Sequence, residues 1–105
     1  MRALRLLPVF LIVLPSASYA ADYTITLKNH IFTPPELVIP AHEKIKVTVR
    51  NLDDSPAEFE SEALNREKVI AGQSEVILYL GPLDGGIYPY LDDFHQDAKG
   101  GIVVK

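Results

Sequence analysis

Apolar and polar residues alternate along most of the chain after residue 20, and this alternation predicts β-strands. The clearest case is residues 44–50, where Ile45, Val47 and Val49 alternate with lysine, threonine and arginine. Residues 23–28 show the same period of two, which is typical of a strand with one buried face. No segment keeps a 3.6-residue apolar period over three turns, so an all-α or α/β fold is not expected.

Turn residues divide this part of the chain into about seven short strands. Only residues 63–68 could accommodate a helical turn. Short strands with frequent turns favour an all-β fold, an antiparallel Greek-key β-sandwich. The further predicted strands are residues 37–39, 57–62, 75–80, 87–91 and 102–104.

Residues 1–20 have the features of a secretory signal peptide. Two arginines precede an apolar stretch, and small residues, Ser18 and Ala20, occupy the positions expected before a signal-peptidase cut. The apolar stretch is shorter than the roughly 20 residues that span a bilayer, and Pro8 and Pro15 interrupt it. We therefore expect periplasmic export with cleavage after Ala20 and no membrane span in the mature chain; an uncleaved anchor is the alternative.

The remaining residues, 21–105, are expected to form one small acidic domain. They hold 8 Lys and Arg against 14 Asp and Glu, a net charge of −6. Nucleic acid and anionic lipid are poor partners for such a domain, because their phosphates would repel it. A cationic partner, including a metal ion, suits it better.

The sequence contains almost no sulfur. Cysteine is absent, and the single methionine is Met1. Disulfides, thiol nucleophiles, iron–sulfur clusters, cysteine-ligated zinc and thiolate-ligated copper are therefore excluded for this chain.

The segment YPYLDDFHQD, residues 88–97, places three aspartates around one histidine, His95. Imidazole is the commonest protein ligand for metals, and carboxylates are frequent partners. Adjacent residues of an extended chain point to opposite faces, so one of Asp92 and Asp93 is expected to face a site. The alternatives are a surface histidine that stabilises its own loop and a solvated acidic turn.

The order of motifs resembles the cupredoxins, exported β-sandwich proteins of the blue-copper type. These proteins combine F-x-P, L-x-V-x-x-G and N-x-D, then a histidine, then P-G-x-Y-x-[FY]-x-C-x-x-H and a late methionine. The resemblance covers essentially all of residues 21–105 and implies the same fold. The matching segments are NHIFTP, ELVIPAHEKIKVTVRNLDDSP and LGPLDGGIYPYLDDFHQDAKGGIVVK.

The departures from this pattern concern the copper ligands. Asp92 stands at the cysteine position, no methionine follows, and Ala57 and Glu58 stand where the first histidine is expected. Only His95 of the usual four ligands is kept. A blue-copper electron carrier is excluded, because that centre needs a copper–thiolate bond.

The resemblance implies which other residues lie near His95. Glu58 and Glu60 follow the turn that normally delivers the first histidine, and His30 precedes the phenylalanine of F-x-P at the same end. The alternatives are a solubilising acidic strand face and a loop histidine packed on proline; His42 is expected at the opposite end. The expected ligands for iron or copper are His95, Asp92, Glu58, Glu60 and His30, with Asp93 at the rim or orienting His95.

A narrower resemblance concerns AEFESEALNREKVI and GPLDGGIYPYLDDFHQD. Both are similar to cysteine-free cupredoxin-like proteins of bacterial iron-permease uptake systems. This similarity implies a periplasmic metal-binding accessory protein, with a periplasmic metal-binding protein and an inner-membrane iron permease as partners. The alternatives are a metal-free interaction module that docks a cationic partner, and copper buffering or delivery. No catalytic motif is recognised, and oxidation of iron stays an open alternative.

Overall fold

The computed structural model describes Pro8 and residues 21–105. The predicted signal peptide and its cleavage site therefore lie outside the described residues, apart from Pro8. The described residues form nine strands and no helix, so none of them belongs to a helix that could cross a membrane. The strands are β1 (Asp22–Lys28), β2 (Ile31–Thr33), β3 (Glu36–Ile39), β4 (Ile45–Asn51), β5 (Ala57–Ser61), β6 (Arg66–Ile70), β7 (Ser74–Leu80), β8 (Gly86–Asp92) and β9 (His95–Val104).

The strands form two mixed sheets, which confirms the predicted all-β sandwich. The four-stranded sheet has the order β2-β1-β4-β7, and the five-stranded sheet has the order β3-β9-β8-β5-β6. The expectation of purely antiparallel pairing was wrong, because β1 pairs parallel with β4 and β3 pairs parallel with β9. The chain leaves the first sheet to form β3 and then returns, so β4 runs in the same direction as β1.

The helical turn considered for residues 63–68 is absent. Residues 62–65 form a tight turn that closes the β5–β6 hairpin. The Leu64 backbone N–H donates to Ser61 Oγ at 3.1 Å, and Asn65 has a φ of 53°. Asparagine tolerates this left-handed conformation better than most residues, so the local sequence favours a turn.

Apolar side chains that alternate along the strands meet between the two sheets. The Tyr90 ring lies at the centre, stacked on Phe59 at 4.8 Å and in edge contact with Phe32 at 5.0 Å. Each large apolar side chain buried in this way contributes about 1.5–3 kcal/mol. The buried apolar set also includes Ile25, Leu27, Leu37, Ile39, Ile45, Val47, Val49, Ala57, Ile70, Leu78, Leu80, Ala98, Ile102 and Val104.

The strand register brings three connections together at one end of the sandwich. Leu27 pairs with Asn51, so the turn after β1 and the loop after β4 leave the first sheet side by side. Phe59 pairs with Asp92, which places the β8–β9 connection beside β5. His42 precedes β4 and thus lies at the opposite end, as the sequence predicted.

Candidate metal-binding site

Asp92 ends strand β8 with its side chain pointing inward, only 1% exposed. Its Oδ1 accepts two backbone hydrogen bonds, from Glu58 N–H at 2.9 Å and from Phe94 N–H at 3.0 Å. A register shift between Leu91 and Asp92 turns the chain here, and this shift allows one carboxylate to reach both β5 and its own loop. Asp92 therefore fixes the loop that carries His95.

His95 begins strand β9 next to this carboxylate. Its Nδ1 lies 3.3 Å from Asp92 Oδ2, and its side chain is 40% exposed. Because an ionised carboxylate can only accept, this hydrogen bond places a proton on Nδ1. An ion held by both residues would replace this proton, because Nδ1 and Oδ2 are the atoms that face each other.

His30 lies in the two-residue turn between β1 and β2. Asn29 and His30 both have positive φ angles, 52° and 59°. This unusual backbone is held by one carboxylate: Asp53 Oδ1 accepts from Asn29 N–H at 2.6 Å, and Asp53 Oδ2 accepts from His30 N–H at 3.0 Å. The His30 Nδ1 atom also faces Asp53 Oδ2, at 3.7 Å.

The electrostatics of Asp53 follow from this position. Burial by itself would raise the pKa of the Asp53 carboxyl, but the backbone donors from His30 and Asn29, with the electrostatic influence of the nearby His30 and His95 side chains, outweigh it and lower that pKa. Asn51, which is fully buried, anchors the same loop by accepting from Asp53 N–H at 3.0 Å. Asp53 is thus held as an anion facing the His30 turn.

The two imidazole rings stack on each other across the end of the sandwich. The ring centroids of His30 and His95 are 4.0 Å apart, with 28° between the ring planes. One donor atom from each of His30, Asp92 and His95 lies within 4.8 Å of the other two. Ligands about 2.0–2.2 Å from one ion are at most about 4.4 Å apart. A small inward movement of these side chains would therefore bring all three within reach of one ion.

The glutamates predicted for the same site lie elsewhere. Glu58, Glu60 and Asp93 form a second group, also with oxygens within 4.8 Å of one another. Desolvation and then the nearby Glu67 carboxylate raise the pKa of Glu58, and the charge of Asp93 is the main cause that raises the pKa of Glu60. The six predicted residues are thus divided into two groups of three, and metal binding by either group stays a prediction.

Sequence reasoning missed Asp53. It belongs to the N-x-D segment that carried part of the family resemblance, so the signal was present at Asn51 and Asp53. The sequence does not show which groups Asp53 contacts, because the two backbone donors are 23 and 24 residues away in the chain. Asp53 fixes the backbone of the turn that carries His30, as Asp92 fixes the backbone of the loop that carries His95.

Three comparisons describe what the chain is similar to. A family profile for the cupredoxin-like domain matches residues 3–104. An uncharacterized protein of Rickettsia prowazekii (strain Madrid E) is 39% identical over 83 residues, which cover 79% of this chain. The match spans 66% of that relative, slightly less than two thirds of its length.

Solved structures with the same fold include several copper proteins. A purple cupredoxin from Nitrosopumilus maritimus is 21% identical, with a TM-score of 0.65 over 80% of this chain and 100% of that one. Auracyanin A, a blue copper protein from Chloroflexus aurantiacus, is 14% identical, with a TM-score of 0.68 over 81% and 98%. The metal-binding domain of the Cu(I)-exporting ATPase CopA from Streptococcus pneumoniae is 14% identical, with a TM-score of 0.70 over 80% and 84%. These similarities concern the fold. With the profile match over nearly its whole length, the chain belongs to the cupredoxin-like domain family.

Proposed function

We propose that this protein binds a transition-metal ion, iron or copper, at His30, Asp92 and His95. The supporting observation is the burial of the Asp92 carboxylate, whose only ion-pair partner among the described residues is the His95 imidazole. A buried carboxylate is costly unless a cation compensates it. A metal ion bound by the two imidazoles would supply that positive charge.

The chemistry of the donor set fits such an ion. Two imidazole nitrogens and a carboxylate oxygen suit Fe(II), Cu(II), Mn(II) or Zn(II), and thiolate chemistry is excluded. His95 Nδ1 faces Asp92 Oδ2 at 3.3 Å, so an ion bound by both residues would replace the proton between them, and Asp53 Oδ2 lies 3.7 Å from His30 Nδ1. A bound iron or copper ion would supply one-electron redox chemistry.

The finer proposal is a periplasmic accessory role in iron uptake. It is supported by the sequence similarity described above, the acidic composition and the oxygen-containing donor set. Anionic oxygen ligands favour the harder, more highly charged state of an ion. In this role the protein would be exported and would work with a periplasmic metal-binding protein and an inner-membrane iron permease. Copper buffering or delivery is the competing role.

Calorimetric titration of the protein with Fe(II), Fe(III), Cu(II) and Zn(II) tests the site. We expect His95→Ala and His30→Ala each to weaken binding on the order of tenfold or more, with nearly unchanged thermal melts. His42→Ala is the matched control, because His42 is exposed and pairs with Asp84 at the other end. Bound Cu(II) should be pale, without an intense thiolate charge-transfer band. Wild-type affinity in the millimolar range, or full affinity in His95→Ala, would contradict the proposal.

Iron uptake by cells tests the finer role. Deletion of the gene should reduce uptake of radioactive iron at limiting concentrations, and wild-type protein should restore it. His95→Ala should fail to restore uptake, and His42→Ala should restore it fully. A deletion strain that loses copper tolerance but takes up iron normally would favour the copper role.

A further inference from the structure

The outer face of the five-stranded sheet carries an open groove of about 890 Å³. Neither His30 nor His95 lines it, and it lies between the β5–β6 turn and strands β8 and β9. Its floor contains apolar groups and its rim contains acidic ones. The lining includes Ala63, Pro89, Leu91 and Gly100 on the floor, and Glu60, Glu62 and Asp93 at the rim.

Strand pairing explains why this face is hollow. On the outer side, Gly101 of β9 pairs with Pro89 of β8, and Lys99 pairs with Leu91. Gly101 has no side chain and Pro89 has a short one, so the outer surface of the sheet has a depression at this pair. A Cβ added at Gly101 would make only ordinary contacts, with the nearest heavy atom 3.9 Å away.

A second depression of about 310 Å³ continues the groove along the sheet. The two share Pro89, Lys99 and Gly100. The continuation is bordered by Val103 and by Ile87, whose side chain is 72% exposed. Together they give one apolar channel across the outer face, and we call it the outer groove.

The charges at one end of the outer groove are unbalanced. Glu60, Glu62 and Asp93 face a single rim cation, Lys99. Oxygens of Glu60 and Asp93 lie within 4.8 Å of each other, so these carboxylates repel one another when both are ionised. A cation placed among them would relieve that repulsion, so this end is complementary to positive charge.

We propose that the outer groove docks a basic segment of a partner protein, with apolar side chains on the floor and an arginine or lysine among the rim carboxylates. An extended segment that alternates apolar and basic residues fits best, because its side chains point alternately to opposite sides. The apolar side chains would contact the floor, and the basic ones would contact the rim carboxylates. Arginine is favoured over lysine, since a guanidinium can donate to two carboxylates at once. The proposal does not depend on metal binding at the histidines.

Fluorescence anisotropy with a labelled peptide of alternating arginine and leucine tests this docking, in the presence of a chelator. Two control peptides carry glutamate in place of arginine, or serine in place of leucine. We expect only the arginine–leucine peptide to bind well, and more weakly as salt rises, since the charges are exposed. Equal binding of the serine peptide would overturn the role of the apolar floor.

Three variants locate the binding on the protein. Glu60→Gln with Asp93→Asn should weaken binding, roughly two- to fivefold for each carboxylate. Gly101→Val should weaken it by filling the floor without changing any charge. Lys99→Gln, which removes the rim cation, should tighten it. A thermal melt of each variant confirms that it is folded.

The matched control is Asp22→Asn with Glu43→Gln. It also removes one aspartate and one glutamate charge, but at exposed positions outside the groove. If this control weakens binding as much as Glu60→Gln with Asp93→Asn, the attraction is a general effect of net charge and the proposal is wrong. Unchanged affinity in both folded Gly101→Val and Lys99→Gln would also overturn it.

Discussion

A single residue, Asp92, joins the fold to the candidate site. Its carboxylate accepts hydrogen bonds from two backbone N–H groups and faces His95 while buried in the end of the sandwich. The structural and the metal-binding roles can be separated, because asparagine keeps one acceptor oxygen for the two backbone donors and replaces Oδ2, the atom that faces His95, by an uncharged NH2 group.

We expect Asp92→Asn to fold and to lose metal affinity on the order of 10–100-fold. Asp92→Ala should also be unstable, because it leaves two backbone donors without a partner, at about 1–3 kcal/mol each. Chemical denaturation and calorimetric titration of both variants measure the two effects. Asp97→Asn, an exposed neighbour, is the control; equal metal affinity in Asp92→Asn and Asp97→Asn would contradict the assignment.

Asp53 predicts a dependence of stability on pH. Its folded-state pKa lies below its ordinary value of 3.8, so the folded protein binds this proton less tightly than the unfolded chain. The stabilisation is therefore complete above the unfolded pKa and is lost as the pH falls through the folded pKa.

Asp53→Asn should be less stable at neutral pH, by about 1–3 kcal/mol, because the amide can accept only one of the two hydrogen bonds from the His30 turn. The difference between wild type and variant should shrink as the pH is lowered below about 4. Urea unfolding across this pH range measures it. A difference that stays constant down to the lowest pH would show that the charge of Asp53 does not matter.

The residues of the candidate site were only partly predictable. The C-x-x-H spacing pointed to Asp92 and His95, and the position before F-x-P pointed to His30. Glu58 and Glu60 were expected beside the histidines, with an acidic strand face as the alternative; alternation along β5 places them on the outer face, where they group with Asp93. The burial of Asp92 depends on a register shift in β8, which no local pattern indicates.

At the scale of the elements, the β5–β6 hairpin contains a conflict of charge. Glu60 and Glu67 are directly opposite each other, and like charges in that position destabilise a strand pair. The hairpin forms because Phe59 and Ile70 are buried on its other face. Burial of these apolar side chains outweighs an exposed repulsion.

Glu67→Lys should therefore stabilise the protein slightly, since it turns the repulsive pair into an attractive one. We expect a higher melting temperature, by a few degrees at most, and a smaller gain at high salt because both side chains are accessible to solvent. Differential scanning calorimetry at two salt concentrations measures this. Glu67→Gln separates removal of repulsion from gain of attraction, and a lower melting temperature for both variants would refute the explanation.

Element prediction from the sequence was reliable where alternation was long. Strands β1 and β4 follow it closely, and β7 was predicted from a mostly apolar run, residues 75–80. The short strands β2 and β6 were missed: β2 has three residues, and β6 is exposed along most of its length. Such segments become strands because a neighbour supplies hydrogen bonds, and that information is not local.

At the scale of the whole molecule, the candidate site is made by both sheets. The turn that carries His30 joins two strands of the four-stranded sheet, and Asp92 and His95 belong to the five-stranded sheet. The sandwich itself was predictable from strand number and turn spacing. The parallel pairs were not, because they depend on where the chain crosses between the sheets.

Saturating Cu(II) or Fe(II) should raise the melting temperature of the whole protein, because an ion that binds only the folded state stabilises it. At a free concentration 100 times the dissociation constant the gain is about 2.7 kcal/mol. Thermal denaturation with and without metal measures the shift. It should be absent in His95→Ala and kept in His42→Ala; an equal shift in both would place the ion elsewhere.

The stacked rings come from opposite layers of the fold, so an ion between them would act as a removable cross-link. With the ion bound, the layers could not slide or separate at that end without breaking a coordination bond. Loss of the ion would free the Asn29–His30 turn and the β8–β9 connection to move apart. Metal binding would thus make this end of the protein more rigid. Amide hydrogen exchange in these two segments would slow when the ion binds.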